Sequence, residues 1–196
     1  MATTDTMPSP ADAAVTREEL HFRRIDMRGY RRSDGLFEVE GRVTDRKPYD
    51  FMPFSGGGRD VPAHEPIHDM GVRVVYDSQL RVRDVSTFTN AAPYGHCPEG
   101  GRALQSLKGL RMISGWSKEV KSRLGGARSC THLMELLIPM ATTAFQSLSV
   151  LRLNQDDKVD ITGRPIKIDS CYAYGAQREL VRRRWPEFYR PPSPEE

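Results

Sequence analysis

The chain lacks long hydrophobic runs. Its longest apolar stretches, such as residues 136–141, are far shorter than the roughly 20 residues that a membrane-spanning helix needs. The first twenty residues also lack the basic start and the apolar stretch that make a secretory signal. We therefore expect a cytoplasmic protein that makes no membrane contact.

Cysteine is scarce, with only Cys97, Cys130 and Cys171 among 196 residues. An odd number of cysteines, in a chain without a secretory signal, argues against a framework of disulfide bonds. In a reducing compartment such thiols are buried core residues, metal ligands or nucleophiles. We expect Cys171 in the core.

Lysine is rare beside arginine, with 6 Lys against 23 Arg and a formal net charge of +3. So small a charge does not indicate nucleic-acid binding, and we expect none. The arginine excess is explained by a GC-rich genome, or by a site for an anion, because a guanidinium group binds carboxylate or phosphate with two hydrogen bonds. A small anionic substrate and a protein partner both stay open.

Familiar catalytic motifs are also missing. The glycines at 56–58 are not followed by the Lys-Ser/Thr pair of a phosphate-binding loop, and the chain has no Gly-x-Ser-x-Gly and no Cys-x-x-Cys. The function must therefore be inferred from less specific arrangements of residues.

Hydrophobic periodicity predicts strands in the first half of the chain. Alternating apolar residues indicate strands at 20–26, 37–43, 67–77 and 80–88, and the last two form the clearest hairpin. A turn is expected at 29–35. Proline- and glycine-rich segments at 46–66 and 90–101 indicate loops.

The period changes to that of a helix in the second half. Apolar residues near 113–124 share one helix face, and Gly125 and Gly126 suit a left-handed cap. A long helix is expected from Cys130, with a kink at Pro139. A last helix is expected at 176–184. The buried stripe expected for the long helix consists of Leu133, Leu137, Ala141, Ala144 and Leu148.

Strands followed by helices are typical of an α+β fold, in which helices pack on one face of a short antiparallel sheet. We expect a single domain of this kind at 18–189. Residues 1–17 and 190–196 are rich in small residues and proline, and we expect them to be disordered tails.

The start of the long helix is the strongest candidate for chemistry. Cys130 and His132 lie there, where unpaired backbone N–H groups favour a thiolate. A thiolate is what a soft metal and a nucleophilic mechanism both require. His68 shares the parity of Met70 and Val72, so its side chain is expected to face the helices.

Cysteines and histidines from three separate segments could together form a tetrahedral metal site. The expected ligands are His68, Cys97, Cys130 and His132. Asp69 would support a ligand or act as a fifth one. Nothing in the spacing brings Cys97 close to Cys130, so each residue keeps an ordinary structural role as its alternative.

Three segments carry a resemblance to a known family: 30–41 (YRRSDGLFEVEG), 66–70 (PIHDM) and 130–136 (CTHLMEL). This pattern resembles a bacterial family of domains of unknown function over about residues 20–190. The resemblance brings no established activity. The family pattern has glycine before the helix cysteine, whereas this chain has Ser129.

The order of features is also similar, more distantly, to iron–sulfur cluster assembly scaffolds of the IscU/NifU type. Those proteins place ligands where a strand begins, in the loop after a strand pair and at the start of a long helix. The resemblance puts His68 and Asp69 at the first place, Cys97 at the second, and Cys130 with His132 at the third. A cysteine is missing at the first place, so a single zinc ion suits the residues better than a cluster.

We therefore expect a metal-binding accessory or carrier domain, with zinc favoured over an iron–sulfur cluster. One alternative is a small enzyme with Cys130 as nucleophile and His132 or His68 as base, acting on an anionic, acyl-CoA-like substrate. A second alternative is a metal-free interaction module whose cysteines only pack.

Overall fold

The computed structural model describes residues 15–53, 58–151 and 157–192. Contacts between Cα atoms divide the chain into two compact units, Met1–Leu148 and Ser149–Glu196. The single domain expected at 18–189 stays a prediction. Of the two expected tails, residues 1–14 and 193–196 lie outside the described residues.

The first unit contains a four-stranded antiparallel sheet in which neighbours in sequence are neighbours in space. The strands are β1 (Phe22–Arg31), β2 (Phe37–Arg46), β3 (Pro66–Tyr76) and β4 (Val82–Ala91). Helices follow the sheet in the chain. The expected α+β fold is therefore confirmed, whereas its likeness to the IscU/NifU arrangement is not.

The first strand is longer than its sequence predicts. β1 continues past residue 26 because its ladder with β2 runs on to the pair of Arg31 with Phe37. The turn expected at 29–35 shrinks accordingly to the residues between these strands. The apolar pattern missed this extension because residues at the end of β1 are exposed on both faces.

Two α-helices in this unit follow a 3-10 helix at Cys97–Leu107, whose first residues fall in the loop that the sequence predicts at 90–101. They are α1 (Trp116–Leu124) and α2 (Thr131–Ser147), and α2 continues through Pro139. Between them, Gly126 has a positive φ of 67°, whereas Gly125 is extended. Gly125 is thus the C-cap residue of α1, and Gly126 is the left-handed residue directly after the cap, as the two glycines predict.

Four of the five residues expected on the buried stripe of α2 are buried, and Ala141 is the exception. Ala141 is only half-buried, and the stripe instead passes through Leu136 and Met140. The buried residues of this stripe are Leu133, Leu136, Leu137, Met140, Ala144 and, just beyond the helix, Leu148. Steps of three and four residues keep these side chains on the face that covers the sheet.

Close contacts anchor α2 on the sheet. Gly29 and Gly41 lack side chains where Ser147 and Met140 of α2 approach the strands. The Tyr76 hydroxyl of β3 donates to the Ala144 carbonyl oxygen at 3.2 Å. This packing sets the start of α2 over the ends of β2 and β3, where the site described below lies.

By length and composition alone, the segment Thr131–Leu151 is long and apolar enough to cross a membrane. This test is also passed by core helices, and α2 buries its apolar stripe against the sheet. The expectation that the protein makes no membrane contact therefore stays a prediction.

The second unit has a small core of its own. Ile168, Ala176, Val181 and Trp185 are buried together, and Val181 and its neighbours form the short helix α3 (Glu179–Arg184). This helix begins later than the predicted residue 176. Cys171 is exposed, so the expectation that it belongs to the core is wrong. Cys171 is the extended residue directly before a one-turn 3-10 helix at Tyr172–Tyr174, and its thiol is exposed there.

The packing on the sheet face that points away from α2 can be tested at Gly71. A Cβ atom on Gly71 of β3 would collide with the Phe88 ring and lie 2.5 Å from the Gly41 carbonyl oxygen. Because the backbone cannot move aside, we expect Gly71→Ala to lower the free energy of unfolding by about 1–3 kcal/mol. Urea unfolding measures this change.

The matched control is Gly95→Ala, because a Cβ atom there meets nothing within 4 Å. We expect the control to leave the free energy of unfolding unchanged or to raise it by up to about 1 kcal/mol. Equal unfolding midpoints for the two variants would contradict the described register of β2 and β3.

Candidate metal centre

The site is built around the carboxylate of Asp45, which lies near the end of β2 with its side chain 1% exposed. In the ladder, Arg23 of β1 and His68 of β3 lie directly opposite Asp45 on either side. The three side chains therefore form a row across three strands, on the sheet face that α2 covers.

Four hydrogen bonds hold the Asp45 carboxylate. Arg23 donates from Nε to Oδ1 at 2.7 Å and from Nη2 to Oδ2 at 2.8 Å. The Nδ1 atom of His68 lies 3.0 Å from Oδ2, and the Nε2 atom of His21 lies 3.3 Å from Oδ1. Burial opposes ionisation of Asp45, but the Arg23 hydrogen bonds and charge outweigh it and hold the pKa below its ordinary value.

His132 joins this row from the first turn of α2. Its ring lies against the His68 ring, with 3.9 Å between ring centroids, and its Nε2 atom lies 3.9 Å from Asp45 Oδ2. The His68 and His132 side chains are 14% and 27% exposed. The parity of His68 on β3 and the start of α2 at Thr131 are what bring the two imidazoles together.

Both imidazoles are uncharged at neutral pH. Burial, followed by the neighbouring His132, lowers the pKa of His68 to about 4, although Asp45 pulls it upward. Burial, followed by the positive charge of Arg23, also lowers the pKa of His132. A neutral imidazole has a free nitrogen lone pair, which is the form that binds a metal ion.

Asp45, His68 and His132 each offer one ligand atom, and these atoms all lie within 4.8 Å of one another. Among the residues that the structure describes, no other group of three or more His, Cys, Asp or Glu meets this condition. The arrangement supplies two nitrogens and one oxygen, a donor set that Zn²⁺ and other divalent first-row metals accept.

Cys130 lies beside this group as the N-cap residue of α2. Its Sγ atom is 4.0 Å from His132 Nδ1 and 3.7 Å from the Met70 Sδ atom of β3. The thiol is half-buried and is not paired in a disulfide. Cys130 is therefore a neighbour of His132 through the ring nitrogen that faces away from Asp45.

Cys97 lies in the same cavity as Cys130 and His132. This open cavity has a volume of about 500 Å³ and lies between the 3-10 helix that Cys97 begins and the first turn of α2. The backbone of Gly100 packs directly against Cys130. Of the five residues expected at the site, the structure thus brings His68, Cys130 and His132 into contact and sets Cys97 at the same cavity.

Asp69 has other partners. Its carboxylate accepts hydrogen bonds from Arg42 Nε at 2.6 Å, Arg42 Nη2 at 2.7 Å and Asn90 Nδ2 at 3.1 Å. Adjacent residues of a strand point to opposite faces of the sheet, so Asp69 faces away from His68. The carboxylate next to the two histidines belongs to Asp45 instead.

Asp45 is not among the predicted site residues, although the sequence contains a signal for it. Asp45 shares the parity of Val39 and Val43, the buried residues of β2. A carboxylate at a buried parity needs a partner, and it therefore marks a functional or structural cluster.

The sequence also contains His64, Glu65 and His68 in the H-E-x-x-H spacing of zinc peptidases. That motif requires one helix face for both histidines. Here His64 has a positive φ of 67° and precedes β3, so the motif has no structural basis.

One known protein family matches more than half of the chain. A family described as protein of unknown function, DUF2889, matches residues 21–146, which include the sheet, α1 and nearly all of α2. The chain belongs to this family. All the residues of the candidate centre lie within the matched part of DUF2889.

No curated protein matches the chain. No solved structure matches it either. The distant resemblance to IscU/NifU scaffolds is therefore unsupported.

The lowered pKa of His68 makes stability depend on pH. In the unfolded chain the imidazole titrates near 6.5, whereas in the folded protein its pKa is about 4. Between these values the unfolded state binds a proton that the folded state does not. The contribution of His68 to the free energy of unfolding is therefore fully present above pH 6.5 and is lost as the pH falls toward 4. With chelator present, we expect the free energy of unfolding to drop by about 2 kcal/mol from pH 7 to pH 5 on account of His68 alone.

Urea unfolding at pH 7 and pH 5 measures this drop in the wild type, in His68→Gln and in His96→Gln, which replaces an exposed histidine. The drop should be smaller in His68→Gln than in His96→Gln by the share that His68 contributes, and the remainder reflects groups such as His132, whose pKa is also lowered. An equal drop in all three proteins would show that His68 titrates normally in the folded state.

Proposed function

We propose that this domain binds a zinc ion through Asp45, His68 and His132, and that it acts as an accessory or carrier protein for the metal. The observation that carries the proposal is the convergence of three ligand atoms, from β2, β3 and α2, within 4.8 Å of one another. An accidental cluster of acidic surface groups is a poor explanation, because Asp45 is buried.

The protonation states of these groups suit a metal ion. Asp45 is ionised and the two imidazoles are neutral at pH 7, so no proton has to leave before a cation binds. Each carboxylate oxygen has two lone-pair sites, and Arg23 occupies one on each oxygen of Asp45. His68 lies at the second site of Oδ2, so a metal ion bound there would replace the hydrogen bond between His68 and Asp45. Arg23 fixes the carboxylate as a supporting hydrogen-bond donor, in the way that partners of metal ligands commonly do.

The donor set favours zinc over an iron–sulfur cluster. Clusters are held mainly by cysteine thiolates, and Cys130 is the single thiol in contact with the histidines among the described residues. Three protein ligands complete most of a tetrahedral zinc site and leave one position for water or another donor. Such an open position would let the ion be exchanged with a protein partner.

Zinc content of the purified, tag-free protein tests the proposal. We expect about one zinc per chain in the wild type. Asp45→Asn, His68→Gln and His132→Gln should each weaken zinc binding by about 10-fold or more, as loss of metal-supporting groups does. Competition with a zinc-binding dye measures the affinity.

The matched control is Asp69→Asn, which removes an adjacent carboxylate that Arg42 and Asn90 already hold. This variant should keep wild-type zinc affinity. The proposal fails if the wild type binds no zinc, or if Asp69→Asn loses zinc while Asp45→Asn retains it.

A second candidate function is a small enzyme with Cys130 as nucleophile. It is favoured by the position of His132 between a thiol and a carboxylate. Cys130 Sγ lies 4.0 Å from His132 Nδ1, and Asp45 Oδ2 lies 3.9 Å from His132 Nε2. A nucleophile, a base and a carboxylate that orients the base are the parts of a covalent mechanism. The adjoining cavity of about 500 Å³ has room for a small anionic substrate beside Arg128.

Thiol reactivity tests the second candidate. An activated Cys130 should be alkylated by iodoacetamide well above the rate of the exposed Cys171 at pH 7, and His132→Gln should remove the difference. Peptide mass spectrometry assigns the modified thiol. A Cys130 that reacts no faster than Cys171 would eliminate the nucleophile, and a protein that also lacks zinc would fit the metal-free interaction module.

A further inference from the structure

The two ring nitrogens of His132 face different chemical surroundings. Nε2 faces the Asp45 carboxylate at 3.9 Å, whereas Nδ1 faces the Cys130 thiol at 4.0 Å. On the thiol side a second sulfur is present, because Met70 Sδ lies 3.7 Å from Cys130 Sγ. The zinc site proposed above uses the oxygen side of this ring, and the sulfur side has no part in it.

We propose that the sulfur side is a separate site for monovalent copper, held by Cys130 Sγ, Met70 Sδ and His132 Nδ1. This proposal shares His132 with the zinc site but does not depend on it. A cuprous ion would bind with loss of the thiol proton of Cys130 to solvent, and with no change in the oxidation state of copper or sulfur.

The distances between donors suit one ion. Sulfur and nitrogen ligands lie about 2.3 and 2.0–2.1 Å from a metal such as zinc, which puts two tetrahedral sulfurs about 3.8 Å apart and a sulfur and a nitrogen about 3.5 Å apart. The observed 3.7 Å between the two sulfurs agrees with this geometry, and the observed 4.0 Å between Cys130 Sγ and His132 Nδ1 is longer. Small rotations of the Cys130 and Met70 side chains would close the difference.

The donor types decide which metal fits. Thiolate and thioether sulfurs are soft ligands that select Cu(I), whereas carboxylate and carbonyl oxygens favour harder cations. Zinc takes thiolate, imidazole and carboxylate ligands, so a thioether adds nothing to a zinc site. Met70 thus distinguishes the sulfur side of the His132 ring from the oxygen side, because a thioether sulfur is a good ligand for Cu(I) and a poor one for zinc.

The location of Met70 supports this assignment. Met70 is 1% exposed and shares the sheet face of His68 and Val72, so its sulfur lies on the side of the sheet that α2 covers. The Cys130 end of the trio lines the open cavity of about 500 Å³, which gives an ion a route from solvent. Cys97 lines the same cavity and is the other thiol that copper would meet.

The test uses the full chain with Cys97→Ser and Cys171→Ser as its background, so that Cys130 is the remaining thiol. Cuprous ion is titrated anaerobically against a chromophoric Cu(I) chelator. We expect one Cu(I) per chain in this background, and about 10- to 100-fold weaker binding when Met70→Leu is added. Cys130→Ser should abolish binding, and zinc affinity should not change in Met70→Leu.

X-ray absorption at the copper edge gives a second readout. The background protein should show two sulfur neighbours and one nitrogen neighbour, and Met70→Leu should show one sulfur. Because leucine has nearly the volume of methionine, the folded state is retained, which circular dichroism verifies. The Asp45→Asn variant should keep its copper while it loses zinc.

The copper proposal is overturned if the background protein binds no Cu(I), if Met70→Leu binds it as tightly as the background, or if binding requires Cys97. Failure of zinc binding alone, with copper retained, would reject the proposed function and leave this inference standing. Loss of copper with zinc retained would do the reverse.

Discussion

The ion pair between Arg23 and the buried Asp45 is the interaction on which the site depends. The two residues are opposite each other in the ladder of β1 and β2, and His68 continues the row on β3. Without Arg23, a carboxylate this deeply buried would gain a proton or would not be tolerated. With Arg23, a fixed negative charge lies under the first turn of α2, and the neutral histidines collect around it.

The negative charge of Asp45 lies on one side of the His132 ring, so the two ring nitrogens differ in their surroundings. One ring nitrogen faces an oxygen donor and the other faces sulfur, so hard and soft ligands meet at a single residue. The division follows from the fold. β2 supplies the carboxylate, whereas β3 and the cap of α2 supply the two sulfurs. In the two proposed sites, the ligands that an ion meets therefore depend on the element that it approaches.

Much of this arrangement follows from local sequence patterns. Alternation put His68 on the helix side of its strand, and the helix period put Cys130 and His132 at the start of α2. Asp45 was not predicted because a polar residue interrupts the alternation of apolar residues, and that alternation is what shows which face of β2 a residue occupies. The contact of Cys130 with Met70 was not predicted because the two residues are 60 positions apart in the chain. The packing of α2 on the sheet brings them together.

The outer position of β1 has a consequence for association. In the described sheet this ten-residue strand pairs on one side only, with β2, and its other edge leaves backbone donors and acceptors available. Such an edge invites the strands of other molecules. Arg24, Arg28 and Arg31 lie along it, and two copies brought edge to edge would set these like charges against one another. Part of the arginine excess thus lies where like charges oppose edge-to-edge pairing of two copies.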